Sequence, residues 1–260
     1  MNDVLHESIS NSFYSIEVFS VLGTNTEQED AVGYVVKDTS AVLVICDGMG
    51  GMNGGRISAQ TAVQKVKELA KNEEWESRPL YFIKKALEIA DEEVYYLKNN
   101  KGERICGGCT IVIGIIIGRR LYYANVGDSR IYYFNGKVLN KITQDHNYGE
   151  ELKRKLKRGE IGDDEYNKEQ GKAAALTGFL GLGELREYYI CETPLLLEQN
   201  QIVCLQSDGL YRLLAEQEMQ DIFVDNLKNL EHAGEVLLQR AEENKRRYQD
   251  NTSIVLVRLK

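Results

Sequence analysis

Proline is nearly absent: Pro79 and Pro194 are the only two in 260 residues. No proline-rich or glycine/serine-rich stretch breaks the apolar periodicity either, so nothing in the sequence marks a linker. With 43% hydrophobic residues the chain can bury one large core, and a single domain over residues 1–260 is expected. Basic charge is also short, with 32 Lys and Arg against 40 Asp and Glu and a net charge of −8. That balance excludes a general nucleic-acid binder, whose phosphate partner needs a basic face. Long apolar runs are missing: Ile111 to Ile117, the longest, cannot span a bilayer, and no charged segment followed by an apolar one stands at the N-terminus. A cytoplasmic protein without membrane association is expected. Cysteines number five, an odd count, and mostly sit inside apolar runs, which suits reduced core thiols better than disulfides. Cys106 and Cys109 have C-x-x-C spacing, but no second pair or histidine cluster accompanies them, which argues against zinc.

The usual sequence solutions to phosphate chemistry are absent as well. Gly50 to Gly55 is followed by Arg56-Ile57, so the lysine and hydroxyl of a P-loop are lacking. Six positions after each cysteine stand Met52, Val112, Ile115, Leu197 and Leu210, so no thiolate has the arginine that would cradle a phosphate. Nor does Gly48-Met49-Gly50 continue as a dinucleotide fingerprint, since position 53 is Asn.

What is present is a repeated placement of acid. Three apolar runs far apart each carry an aspartate at one end: Val42 to Asp47-Gly48, Ile202 to Asp208-Gly209, and Asp250-Asn251 before Thr252 to Val257. If the runs are neighbouring buried strands, three carboxylates converge at one edge of the core. Carboxylates packed so closely repel, and a cation must sit among them. Oxygen-only ligands suit Mg²⁺ or Mn²⁺. Asp-Gly is ordinarily a favoured hairpin turn, but two such pairs, each after a buried-type strand and the first followed by the glycine run Gly50 to Gly55, are not read as turns alone. Glu29, Asp30 and Asp128 add further acids at strand edges.

Periodicity predicts strands between Ser15 and Tyr34 around a turn at Gly23 to Glu29, then a strand ending at Asp47. Helices are predicted from Ile57 to about Trp75 and after Pro79. A meander over Thr110 to Ile142 includes an Asn135-Gly136 hairpin. Strands at Tyr188 to Cys191 and Ile202 to Leu205, helices near Ala215 to Leu227 and His232 to Arg247, and a strand from Thr252 to Leu259 complete the chain. The charged stretch at about 148–172 reads as a flap-like surface insertion. Strands and helices in blocks favour antiparallel sheets with helices outside.

These segments together resemble the metal-dependent Ser/Thr protein phosphatases, the type 2C family. The matching stretches are Glu29-Asp30-Ala31, Cys46 to Gly51, Gly108-Cys109-Thr110, Ala124 to Arg130, Thr143 to His146, Gln206 to Leu210 and Asp250-Asn251-Thr252. The resemblance implies an α+β fold, a four-layer α-β-β-α sandwich with two central, mostly antiparallel sheets flanked by helix pairs. It implies two Mn²⁺ or Mg²⁺ ions per chain and hydrolysis of phosphoserine or phosphothreonine. By position Asp47 would bridge the metals, the Gly48 carbonyl would ligate one, and Glu29, Asp208 and Asp250 would complete the ligands. Catalysis would then run through metal-bound water held by Asp47, Asp208 and Asp250, with Asp30 and Asn251 supporting the ligands from behind.

Two departures stand out. Position 25, where the family usually carries a phosphate-gripping arginine, is Asn25. The acid that usually helps hold a third metal is replaced by Arg212, which leaves Asp128 as a weak third-metal or purely structural residue. Arg212 is expected beside Asp128 and Asp208, neutralising them and lending phosphate affinity lost at Asn25, unless it simply faces solvent. His146 is read as structural. Three functions follow: an active phosphatase; a weak or inactive pseudophosphatase that binds phosphoproteins; and a hydrolase of small phosphoesters. Expected partners are phosphorylated proteins, an opposing Ser/Thr kinase among them, met by a monomer.

Overall fold

A computed structural model describes residues 4–50, 53–245 and 248–260. Gly51 and Met52 of the glycine run, and Arg246 and Arg247 at the end of the expected last helix, lie outside the described residues. The strands are β1 (Val4–Ser10), β2 (Tyr14–Val21), β3 (Asp30–Val36), β4 (Ser40–Met49), β5 (Gly108–Cys109), β6 (Ile111–Ile117), β7 (Arg120–Val126), β8 (Arg130–Phe134), β9 (Leu139–Lys141), β10 (Tyr189–Ile190), β11 (Leu195–Leu196), β12 (Ile202–Gln206) and β13 (Thr252–Leu259). Helices are α1 (Gly54–Asn72), α2 (Pro79–Tyr95), α3 (Tyr148–Lys157), α4 (Asp163–Glu169), α5 (Asp208–Tyr211), α6 (Glu216–Asp225) and α7 (Leu230–Asn244).

All strand pairings are antiparallel. One sheet runs β1-β2-β13-β12-β8-β9; the other runs β10-β7-β6-β4-β3, with β11 on β7 and β5 on β4. Three apolar clusters fill the spaces between layers. Between the sheets lie Ile16, Leu43, Ile45, Val112, Leu205 and Val255 among others. Outside one sheet, Val42, Val44 and Ile113 pack against Ala62, Val66, Ile83 and Leu87 of α1 and α2. Outside the other, Phe19, Cys204 and Leu256 meet Phe223 and Leu237 of α6 and α7. The order is therefore helix pair, sheet, sheet, helix pair, as the resemblance implied. Because both faces of β4, β12 and β13 are covered, their sequences read as unbroken apolar runs rather than alternating ones.

The Asp-Gly pairs are not hairpin turns, in keeping with their reading as more than turns: Asp47-Gly48 lies inside β4, and Asp208-Gly209 opens α5. Three features differ from expectation. The first helix begins at Gly54, three residues earlier than the periodicity suggested, because a glycine-rich first turn carries no apolar signal. The meander is broken, since β6–β7 and β8–β9 belong to different sheets. The chain crosses between them at Gly127-Asp128-Ser129, where Gly127 takes φ +93 and a Cβ would stand 2.6 Å from the Thr110 side chain. Finally, β1 was not expected. It is a polar, largely exposed edge strand and shows no hydrophobic pattern of its own. The stretch at 148–172 forms α3, α4 and a 3-10 turn at Gln170–Lys172, burying only Gly149 and Leu152.

Candidate metal centre at the edge of the two sheets

The carboxylates meet because of strand register. In the β3–β4 pair Asp30 stands opposite Asp47, and the Gly48 N–H donates to the Glu29 carbonyl at 3.1 Å. On the other side of β4, the Thr110 N–H donates to the Asp47 carbonyl at 2.8 Å, and the Asp47 N–H donates to Thr110 Oγ1 at 3.2 Å. Asp47 is thus fixed at both backbone groups while its carboxylate stays free of the ladder. Gly48 is required here: a Cβ would lie 2.3 Å from the Gly55 carbonyl oxygen and 2.6 Å from that of Glu29. The first turn of α1 presses on the same point, and the Arg56 backbone N–H reaches the Glu29 carboxylate.

From the other sheet, β12 delivers Asp208 as the first residue of α5. Ser207 ties the two sheets together. Its hydroxyl donates to Asp30 Oδ2 at 2.7 Å and accepts from the Ser253 N–H at 2.9 Å, while its own N–H donates to the Ser253 carbonyl at 3.0 Å. Asp250, just before β13, accepts at Oδ1 from the Asn25 amide at 2.8 Å, from the Tyr248 hydroxyl at 3.2 Å and from the Asn251 N–H at 2.9 Å. Asn251 is buried. Its Oδ1 accepts from the Glu29 N–H at 2.8 Å, and its Nδ2 donates to the carbonyls of Leu22 at 2.9 Å and Glu27 at 3.1 Å. The Glu29 loop is thereby fastened to the root of Asp250.

The electrostatics follow from this crowding. Burial, and then the charges of Asp30, Asp208, Asp128 and Asp250, push the Asp47 carboxyl well above its ordinary range. Burial raises Asp30 to about 7, against the pull of the Ser207 hydroxyl. Asp208 rises to about 6 through burial, restrained by Arg212. Glu29 is raised by burial and by Glu27 and Asp250; Asp128 is raised by burial, opposed by Arg212 and Tyr211. Each acid makes its neighbours harder to ionise, the signature of a cluster that gains from a cation.

Two observations test whether a divalent ion fits. Among the described residues Asp208 Oδ1 is buried with no hydrogen-bond donor, its neighbour being the Asp47 carboxylate, which is costly unless something positive meets it. The donors are all oxygens, the set that Mg²⁺ and Mn²⁺ prefer. Among the described residues, no three acidic, histidine or cysteine side chains already close around one point at ligating distance. The residues fit the ion in kind, and the cluster has the charge to attract it.

Of the sequence-predicted residues, Glu29, Asp30, Asp47, Gly48, Asp208, Asp250 and Asn251 gather at this edge. Asn25 also joins them through Asp250. Asp128 stands near Asp208 and its charge also reaches Asp47; one Arg212 Nη2 lies 2.6 Å from Asp208 Oδ2 and 3.9 Å from Asp128 Oδ2. Sequence reasoning missed Ser207 and Tyr248. Ser207 carried a signal, as an N-cap-type residue directly before Asp208 at a strand-to-helix junction. Tyr248 carried none beyond standing two residues before Asp250. Beside the cluster opens a cavity of about 390 Å³ lined by Asn25, Thr26, Glu27, Glu29, Gly50, Asn53 and Tyr248. His146 sits apart and is buried, its Nδ1 accepting from the Gly127 N–H at 3.1 Å, which is a structural role.

Residues 7–154 match the family model for protein phosphatase 2C. The chain is 27% identical over 228 residues to the serine/threonine phosphatase stp of Listeria monocytogenes, covering 85% of each. It superposes on the Streptococcus (S. agalactiae) serine/threonine phosphatase with a TM-score of 0.78 and 22% identity, covering 95% of this chain and 100% of the other. The catalytic domain of serine threonine protein phosphatase PstP, solved in complex with two manganese ions, gives a TM-score of 0.75 at 19% identity, covering 95% and 98%.

Proposed function

The chain belongs to the protein phosphatase 2C family, and we propose that it hydrolyses phosphoserine and phosphothreonine in proteins, with Glu29, Asp47, Gly48, Asp208 and Asp250 holding two Mn²⁺ or Mg²⁺ ions. The observation that carries this reading is the convergence of Asp47 from within β4, Asp208 from the β12–α5 junction and Asp250 from just before β13, with one buried Asp208 oxygen left without a partner among the described residues. Bound there, divalent ions supply an acidified water and neutralise charge on the phosphoryl oxygens. The chain's own residues do the rest. Asp30 and Ser207 hold Asp47 and Asp208 in mutual register across the two sheets. Asn251 sets the distance between the Glu29 loop and Asp250. Asn25 and Tyr248 occupy the wall of the cavity where a phosphorylated side chain would enter, and the Asn25 amide offers a neutral donor in place of a charged fork.

The Listeria relative's name supports protein substrates, and the PstP complex supports manganese as one competent metal. Substrate proteins would be those of an opposing Ser/Thr kinase. No helix among the described residues is long and apolar enough to cross a membrane. The test is phosphate release from a phosphothreonine peptide with Mn²⁺, set against chelator and against Asp208→Asn. Release that chelator abolishes and Asp208→Asn reduces at least 100-fold is expected. Wild type as inert as the variant would leave a phosphoprotein-binding module, and faster turnover of nucleotide or sugar phosphates would redirect the reading to small phosphoesters.

A further inference from the structure

Asp208 uses its two oxygens differently. Oδ2 receives the Arg212 Nη2 at 2.6 Å, while Oδ1 is buried and, among the described residues, unpartnered. The same Nη2 stands 3.9 Å from Asp128 Oδ2. Asp128 and Asp208 are 4% and 7% exposed, so their charge is poorly hydrated, and among the described residues Arg212 is the one basic side chain paired with either. Its placement is fixed by the backbone, because the Arg212 N–H donates to the Asp208 carbonyl at 3.1 Å, one turn back along α5. The nearest other cation is already committed: Arg130 bonds Asp145 at 2.7 Å and stacks 3.5 Å over the Tyr211 ring.

We propose that Arg212, whose side chain is 46% exposed, is a resident cation at the rim of the carboxylate cluster, its guanidinium taking the place between Asp128 and Asp208 that a divalent ion would otherwise take. A guanidinium keeps its charge at any working pH and cannot be chelated away. At any working pH the Asp128 and Asp208 pair therefore keeps one net negative charge rather than two, too little to hold a divalent ion of its own, and uptake of metal is directed to Glu29, Asp47, Asp208 and Asp250. This rests on reading the cluster as a divalent-metal centre.

The test counts Mn²⁺ bound per chain by native mass spectrometry at millimolar Mn²⁺ and follows melting temperature with and without the metal. Arg212→Met is expected to bind one more Mn²⁺ than wild type, to melt lower than wild type in chelator, and to recover with Mn²⁺. Arg212→Lys keeps the wild-type count. Adding Asp128→Asn to Arg212→Met removes the extra ion. Equal counts in wild type and Arg212→Met overturn the proposal, as does an extra ion that survives Asp128→Asn. If Arg212→Met folds only with Mn²⁺, the proposal is supported; if it folds under neither condition, the double variant, freed of one unpaired charge, is expected to fold, and its failure would reduce Arg212 to a packing role. Wild type that binds no divalent ion at all sinks the phosphatase reading instead, which the difference between the two variants leaves distinguishable.

Discussion

Replacing Asn251 by Ala probes how far the proposed metal centre depends on a side chain that is not itself a proposed ligand. The side chain makes three hydrogen bonds, to the Glu29 N–H and to the carbonyls of Leu22 and Glu27, all of which Ala removes. At about 1 kcal/mol net for each bond the loss is about 3 kcal/mol. Orphaned groups sealed from water would cost more, but Leu22 is only partly buried and Glu27 is exposed, so water can reach those carbonyls and the lower figure applies. In a domain of this size that corresponds to a fall in melting temperature on the order of 6–10 °C. The freed Glu29 loop should also loosen the site, weakening Mn²⁺ binding by roughly 10- to 100-fold, the usual effect of losing a partner that orients ligands. Urea unfolding in chelator reads the first effect and isothermal titration with Mn²⁺ the second. Asn251→Asp separates them from simple loss of volume, because it keeps an acceptor for the Glu29 N–H while losing both donors. A stability loss under about 1 kcal/mol with unchanged Mn²⁺ affinity would refute the claim that Asn251 fastens the Glu29 loop to Asp250.

The parts of this site that could be read in the sequence share one physical cause. Asp47, Asp208 and Asp250 are visible because each ends a run buried on both faces, and a charge at the end of such a run is conspicuous. The same double burial hides which residues face which layer: nothing in Val42 to Cys46 tells that Leu43 and Ile45 point between the sheets while Val42, Val44 and Cys46 point to the helices. Sheet membership is likewise hidden. Phe134 and Ile202 pair across 68 residues of chain, and only that pairing sends β8 away from β7. The Ser207 to Asp30 bond spans 177 positions and is a product of tertiary register, beyond any local pattern. Arg212, by contrast, stands four residues after Asp208, a spacing at which a helix brings the two together, so its ion pair is a local event that the sequence could suggest.

Two further predictions concern the frame that holds the site. Gly234 lies inside α7, where Ala is a better helix former by about 1 kcal/mol. A Cβ there would stand 2.1 Å from Cε2 of Phe19, a buried ring stacked on His6 at 4.4 Å, so Gly234→Ala is expected to destabilise by about 1–3 kcal/mol in urea unfolding, and any gain in stability would refute the packing argument. His146 gives the pH dependence. Its folded-state pKa is lowered from 6.5, chiefly by burial, which outweighs the opposing charges of Glu187 and Asp145. The unfolded chain therefore takes up this proton first as pH falls. Stability contributed by neutral His146 is present above about pH 6.5 and is lost below it, by at most about 1.4 kcal/mol per pH unit. Asp30 and Asp208, raised to about 7 and about 6, act in the opposite direction over the same window, so the wild-type curve alone mixes the two. The measurement is the difference in unfolding free energy between wild type and His146→Gln at a series of pH values, with chelator present throughout. Because the carboxylates are common to both chains they cancel, and wild type should lose stability relative to the variant as pH drops; parallel curves would mean that His146 is hydrated and titrates as it does in the unfolded chain.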